Sequence, residues 1–237
     1  MSKPFHFKQF TIHQNKTAMK VGTDGVLLGA WASVDTSVES ILDIGSGTGL
    51  IALMMAQRSS ADEIDAIELN GNAYEQTVEN FENSNWNNRL FCYHTSIQDY
   101  ANEIDDSYDL IVSNPPFYNS TYKKLDENRA MARHSESLTN GELLESTSKL
   151  LSKIGSCAFI IPYSESEKFI EIATKNMLLL NRITFVKGTP NTSFKRSLMQ
   201  FSFQKKAIVK TELTIENNRH NYTKEYIDLV KEFYLKM

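Results

Sequence analysis

Two short stretches hold residues whose types and spacing suit chemistry. The first is Asp43-Ile44-Gly45-Ser46-Gly47-Thr48-Gly49, which closes one apolar run and opens another. Glycine on alternate positions admits positive φ and lets a ligand touch bare backbone. A helix starting behind such a turn offers free N–H groups to a carboxylate or phosphate. The dinucleotide spacings G-x-G-x-x-G and G-x-G-x-x-A fail, because Leu50 stands sixth when counted from Gly45. The second stretch runs from Tyr108 to Ser113-Asn114-Pro115-Pro116-Phe117, an apolar strand ended by two prolines that stop ladder donation and stiffen the backbone. Between them Glu68 closes another apolar run, 23 residues past Gly45, where an α/β nucleotide site sets a carboxylate on ribose hydroxyls. Two carboxylate oxygens accept from the 2′- and 3′-hydroxyls together, an arrangement that a 2′-phosphate would repel.

The pattern D-x-G-x-G-x-G resembles motif I of class I S-adenosylmethionine-dependent methyltransferases. The resemblance implies S-adenosylmethionine as cofactor, with Asp43 near the ammonium of its methionine part and Gly45, Gly47 and Gly49 along the backbone of that part. Glu68 then takes the ribose, Asp99 accepts from the adenine amino group and Ile97 packs on the adenine ring. Ser96 and Asp99 are equally well spaced for a helix N-cap. Thr23-Asp24-Gly25 resembles motif X of amino-methyltransferases, beside the methionine end.

Asn114-Pro115-Pro116-Phe117 is similar to motif IV of enzymes that methylate planar amino or amide nitrogens. Such a nitrogen is a poor nucleophile because its lone pair is delocalised. The Asn114 side-chain oxygen and the Pro115 carbonyl each accept one N–H, which draws the nitrogen toward tetrahedral geometry and aims its lone pair at the sulfonium methyl. Phe117 gives the base a stacking face, with Pro116 and Tyr118 beside it. Placement and aimed dipoles carry the catalysis, and positioning alone contributes on the order of 7–11 kcal/mol.

These residues need a scaffold of alternating strands and helices. Strands are expected over 41–44, 64–69, 90–93, 108–113, 155–162, 178–186 and 197–203, with helices over 51–57, 73–81, 143–151, 167–177 and 222–234. Ser164 is placed to cap the helix from 167. The class is therefore α/β: a Rossmann-like methyltransferase fold, implied to hold a seven-stranded, mostly parallel sheet with an antiparallel terminal strand. Residues 1–40 stand outside the alternation and form a small N-terminal β extension, packing on a methyltransferase domain of 41–237. Within the extension, 5–12 alternates with period two as one half-buried strand, and 19–21 is set to pair back.

Length and composition bound the rest. A chain of 237 residues, 41% apolar and 23% charged, fits one large domain with a real core. Cys92 and Cys157 both fall in apolar strands, which suits core thiols in a reducing cytoplasm. No signal peptide is indicated, and no run approaches a membrane span. Net charge is −4, yet 172–211 holds eight basic residues and no acid, which suggests a polyanion-facing surface.

Three nitrogens share motif IV: adenine N6, guanine N2 of ribosomal RNA and the glutamine amide of peptide-release factors. The glutamine enzymes usually read Asn-Pro-Pro-Tyr behind a helical domain, and the guanine enzymes typically carry a duplicated or auxiliary domain. Thr23 to Gly29, Asn114 to Phe117, Arg133-His134 and Tyr222-Thr223-Lys224-Glu225-Tyr226 resemble, over nearly the whole chain, the bacterial tRNA1(Val) adenine N6-methyltransferases. That resemblance implies tRNA as partner, modified at the adenine beside the anticodon, with neither metal nor membrane. A base in a single-stranded loop is cheaper to extrude than one in a duplex. Lys123, Lys124 and Arg133 of the 118–138 loop, with Lys195 and Arg196 of the basic region, would grip the RNA. A non-catalytic module that binds cofactor is the alternative from another class; the intact motif at 114–117 argues against it.

Overall fold

A computed structural model describes residues 3–116 and 138–237. A hairpin of β1 (Phe5–His6) and β2 (Thr11–Ile12) leads into α1 (Thr23–Trp31). The alternating core follows as β3 (Ser40–Ile44), α2 (Leu50–Arg58), β4 (Glu63–Ile67), α3 (Gly71–Glu82), β5 (Leu90–Tyr93), α4 (Ile97–Glu103) and β6 (Tyr108–Ser113). Beyond the undescribed segment come α5 (Asn140–Leu150), β7 (Leu151–Pro162), α6 (Ser166–Lys175), β8 (Leu179–Lys187) and β9 (Arg196–Ser202). The chain closes with β10 (Val209–Thr214), a small pair of β11 (Glu216–Asn218) and β12 (Asn221–Tyr222), and α7 (Lys224–Val230).

The main sheet has the order β10-β8-β9-β7-β6-β3-β4-β5 and eight strands, one more than expected. Only β9 runs antiparallel, inserted between β7 and β8. The extra strand, β10, joins β8 in parallel at the edge. Its residues are mostly exposed, so no buried apolar run announced it. The 5–12 stretch is also not one strand: Phe7 N–H bonds to Phe10 O at 2.9 Å and the chain doubles back there. Residues 19–21 form no strand. Ser164 does not cap α6, because a short 3₁₀ turn over Tyr163–Glu165 runs straight into it.

Successive strand residues face opposite helical layers. Ile41, Ile64, Leu110 and Ala158 pack with α1, α2 and Phe7, Phe10 and Ile12 of the extension. Leu42, Ile111, Cys157 and Phe159 pack with α4, α5 and α6. One buried acid interrupts the second layer. Asp65 accepts hydrogen bonds from Tyr108 Oη at 2.5 Å and Tyr100 Oη at 3.3 Å, and burial pushes its carboxyl up to about 6.

Candidate active site

β3, β4 and β6 end at the same sheet edge, and the strand order reverses between β3 and β6. Ligands in open α/β sheets bind at such switch points. Here the edge opens into a cavity of about 710 Å³, within the usual range for small-molecule sites. Of the expected residues, Gly45, Gly47, Glu68, Ile97, Asn114 and Pro116 line it.

The glycine turn is built for two different reasons. At Gly47, with φ +60°, an added Cβ would meet nothing within 4 Å, so the space above the backbone stays open. At Gly49, with φ +74°, a Cβ would stand 2.7 Å from Phe81 Cε1, so this glycine serves helix packing. The turn is tied to β4 by Gly45 N–H and Ser46 N–H, which both donate to Ile67 O at 2.8 and 3.1 Å. Glu68 continues the tie: Oε2 accepts from Gly47 N–H and Oε1 from Asn70 N–H, each at 2.8 Å. Each oxygen keeps a further lone pair for a ligand hydroxyl.

Asp43 lies in the floor beneath the turn, not in the cavity wall. It is fully buried, and its Oδ2 accepts from Ala52 N–H at 3.2 Å in the first turn of α2. Its Oδ1 has no partner, and burial pushes the carboxyl up to about 7. Asp99 is exposed and takes a hydrogen bond from Ser96 Oγ at 2.7 Å, while Ser96 caps α4 through Asp99 N–H. The neighbouring Gln98 faces the cavity instead. Thr23, Asp24 and Gly25 open α1 away from the cavity wall, and Asp24 Oδ2 pairs with Arg196 Nε at 2.7 Å. Lys195 is exposed beside it. Phe117, Tyr118, Lys123, Lys124 and Arg133 lie outside the described residues.

Ser113 Oγ donates to Ile44 O at 2.8 Å and so locks the β6 tip to β3. Pro115 is buried and Pro116 exposed. Asn114, held between them and β6, lines the cavity; its side-chain oxygen is buried and accepts no hydrogen bond. A buried unpaired acceptor costs about 1–3 kcal/mol, and such a group asks for a ligand.

Sequence reasoning missed the wall made by Thr17, Ala18 and Met19. Two amides of α3 put it there. Asn80 Oδ1 accepts from His13 N–H at 2.8 Å, and Asn80 Nδ2 donates to His13 O and Thr48 O. Gln76 Oε1 accepts from Lys16 N–H at 3.0 Å. The available signal was Gln76 and Asn80 one helical turn apart among the apolar positions of α3; both are buried. Glu142 and Thr139, at the start of α5, close the other side. Among the described residues no cluster of His, Cys, Asp or Glu could hold a metal, and no helix is long and apolar enough to cross a membrane.

A doubly wound sheet of this strand order, with a glycine-lined cavity at the switch point, defines a class I methyltransferase fold. The crystal structure of a predicted O-methyltransferase from Agrobacterium tumefaciens shares it, with a TM-score of 0.69 over 89% of this chain and 96% of that one at 16% identity. Residues 23–151 match the methyltransferase small domain. The chain belongs to the tRNA1(Val) (adenine(37)-N6)-methyltransferase family. It is 56% identical over 238 residues to the protein of that name from Christiangramia forsetii, covering 100% of this chain and 99% of that protein. The Flavobacterium psychrophilum protein of that name is 55% identical over 233 residues, covering 98% and 100%.

Proposed function

We propose that this chain methylates the exocyclic N6 of adenine 37, beside the anticodon in tRNA1(Val), using S-adenosylmethionine in the cytoplasm. The observation that carries this reading is the buried, unpartnered side-chain oxygen of Asn114, a residue that lines the glycine-lined cavity. When bound, the cofactor supplies a methyl on a positively charged sulfur. The residues present fit it. The open space over Gly45 and Gly47 admits its methionine part, and Glu68 faces the cavity with a carboxylate already oriented for ribose hydroxyls. Ile97 offers an apolar wall to the adenine ring, and Gln98 adds a polar group that sequence reasoning gave to Asp99. Asp43 answers the ammonium from beneath the turn, as a buried carboxylate whose ionised form a nearby cation favours. Thr23, Asp24 and Gly25 support the same end through the Asp24–Arg196 pair.

For the substrate, the Asn114 side-chain oxygen and the Pro115 carbonyl each accept an N–H of the target amine. The two prolines stiffen the backbone that carries the Pro115 carbonyl, so little reorganisation of that acceptor accompanies the reaction. Pro116, Phe117 and Tyr118 are the residues proposed to take the extruded base. Lys123, Lys124, Arg133, Lys195 and Arg196 hold the anticodon arm. In this reading residues 1–40 are an extension packed on the 41–237 domain, and its Thr17 to Met19 segment borders the cofactor site.

Mass mapping of modified nucleosides in tRNA from a deletion strain tests the proposal. Loss of N6-methyladenosine from tRNA1(Val) is the expected result. Intact N6-methyladenosine with loss of N2-methylguanosine would replace it with the guanine reading.

A further inference from the structure

The sheet edge that carries the cavity also carries an aromatic cluster that no step above uses. Tyr163 follows β7, the strand beside β6; Phe185 lies on β8 and Phe194 in the loop leading into β9. Tyr163 stands 5.2 Å from Phe185 and 5.3 Å from Phe194, and the two phenylalanines are 5.5 Å apart, ring centre to ring centre. Three rings in mutual contact usually belong to a core. Here Tyr163 is 41% exposed and both phenylalanines are only half-buried.

Lysines rim the cluster. Lys187 Nζ lies 5.3 Å from the Phe194 ring centre and Lys210 Nζ 5.0 Å from that of Phe185. Lys195 is exposed in the same loop. Glu212, 3.8 Å from Lys187 Nζ, is an acid on this rim, and the 172–211 segment itself has none. The backbone makes one unit of it: Tyr163 N–H donates to Lys195 O at 3.1 Å, and Lys195 N–H to Val186 O at 2.8 Å.

Register fixes the position relative to Asn114. Ser113 pairs with Phe159 between β6 and β7, and Pro162 with Arg196 between β7 and β9. Tyr163 therefore stands one strand, and Lys195 two strands, from the strand that ends just before Asn114, about 5 and 10 Å sideways, and both lie three residues, about 10 Å, beyond the level of Asn114 along the strands. An exposed ring takes a base by its face, and a lysine at the ring's edge meets the adjoining phosphate; proteins that bind single-stranded nucleic acid combine these two features. An apolar protein partner would leave the lysines without a role.

We propose that Tyr163 and Phe194 form a stacking platform for a nucleotide flanking the target adenine, with Lys187, Lys195 and Lys210 facing its phosphates. The proposal rests on the RNA reading above and adds a subsite outside the methyl-transfer cavity. Equilibrium binding of an unmodified tRNA1(Val) transcript, with the cofactor affinity and melting temperature of each variant, tests it. Tyr163→Ala and Phe194→Leu should each raise the tRNA Kd about tenfold, as expected for one lost stack. Tyr163→Phe should stay near the parent, and the cofactor Kd should match the parent in all three. Lys195→Ala should lower the slope of log Kd against log salt by about 0.7. A parental tRNA Kd in both Tyr163→Ala and Phe194→Leu overturns the platform. A parent that binds the transcript but transfers no methyl to its adenine overturns the proposed function instead, and leaves the binding result to stand or fall by itself.

Discussion

The Gly47 N–H donates to the Glu68 carboxylate at 2.8 Å, joining the turn after β3 to the tip of β4 across the mouth of the cavity. The same carboxylate takes Asn70 N–H, so neither oxygen can swing away from the ligand space. Glu68 is thus a brace for the glycine turn and, in the proposed function, also the group that takes the ribose. Glu68→Ala should weaken S-adenosylmethionine binding by about 10- to 100-fold, the range for hydrogen bonds to a charged group. Calorimetric titration measures it, and an unchanged Kd would remove Glu68 from the cofactor site.

Gly49 is the tightest position of the turn. Alanine there must hold φ near +74° and find room beside Phe81 Cε1, 2.7 Å from its Cβ. Left-handed backbone costs a non-glycine residue about 1–2 kcal/mol, and the clash adds to it. Gly49→Ala should lower the melting temperature by several degrees, whereas the backbone at Gly47 leaves a Cβ open space. Thermal melts of both alanine variants without ligand check the contrast, with Gly49→Ala the less stable.

Burial lifts Asp65 to about 6 from an ordinary value of 3.8. The folded chain therefore holds a proton there that the unfolded chain releases between those two values. Stability contributed by this group falls as pH rises through that window and stays low above it. Asp65→Asn removes the titration, so the unfolding free energy at pH 4 minus that at pH 7 should be smaller in the variant than in the parent. Urea unfolding at both pH values reads this, and an unaltered difference would contradict the assignment.

Lys195 ends the loop before β9 and Arg196 begins β9, on the same sheet edge as Asn114, and Arg196 also braces Asp24 of α1. Reversing both charges should weaken tRNA binding and flatten its salt dependence. Filter binding from low to high salt tests it; parental affinity at low salt would place the RNA elsewhere.

Much of this was legible in the sequence, for identifiable reasons. Parallel strands buried on both faces read as continuous apolar runs, so β3, β4, β6 and β7 stood out. The three glycines and the prolines after Asn114 are backbone requirements, and those show in residue type alone. Side-chain direction does not. Asp99 and Gln98 are neighbours, and only the Ser96 cap decides that Asp99 turns outward. Asp24 reads the same whether it meets a ligand or Arg196, its partner 172 positions away. The Thr17 to Met19 wall depends on Gln76 and Asn80 reaching back some 60 residues, a long-range contact that local periodicity does not encode. β10 stayed hidden because an exposed edge strand carries no buried pattern.

The central claim of the proposed function is that Asn114 Oδ1, buried and unpartnered, accepts a hydrogen bond from the amine that is methylated. Single-turnover transfer to tRNA1(Val) by Asn114→Ala, paired with the cofactor Kd of the same variant, tests it most directly. The account predicts a transfer rate reduced at least a hundredfold, the scale of losing one aimed hydrogen-bonding group, with cofactor affinity within about threefold of the parent. Transfer at the parental rate would contradict it.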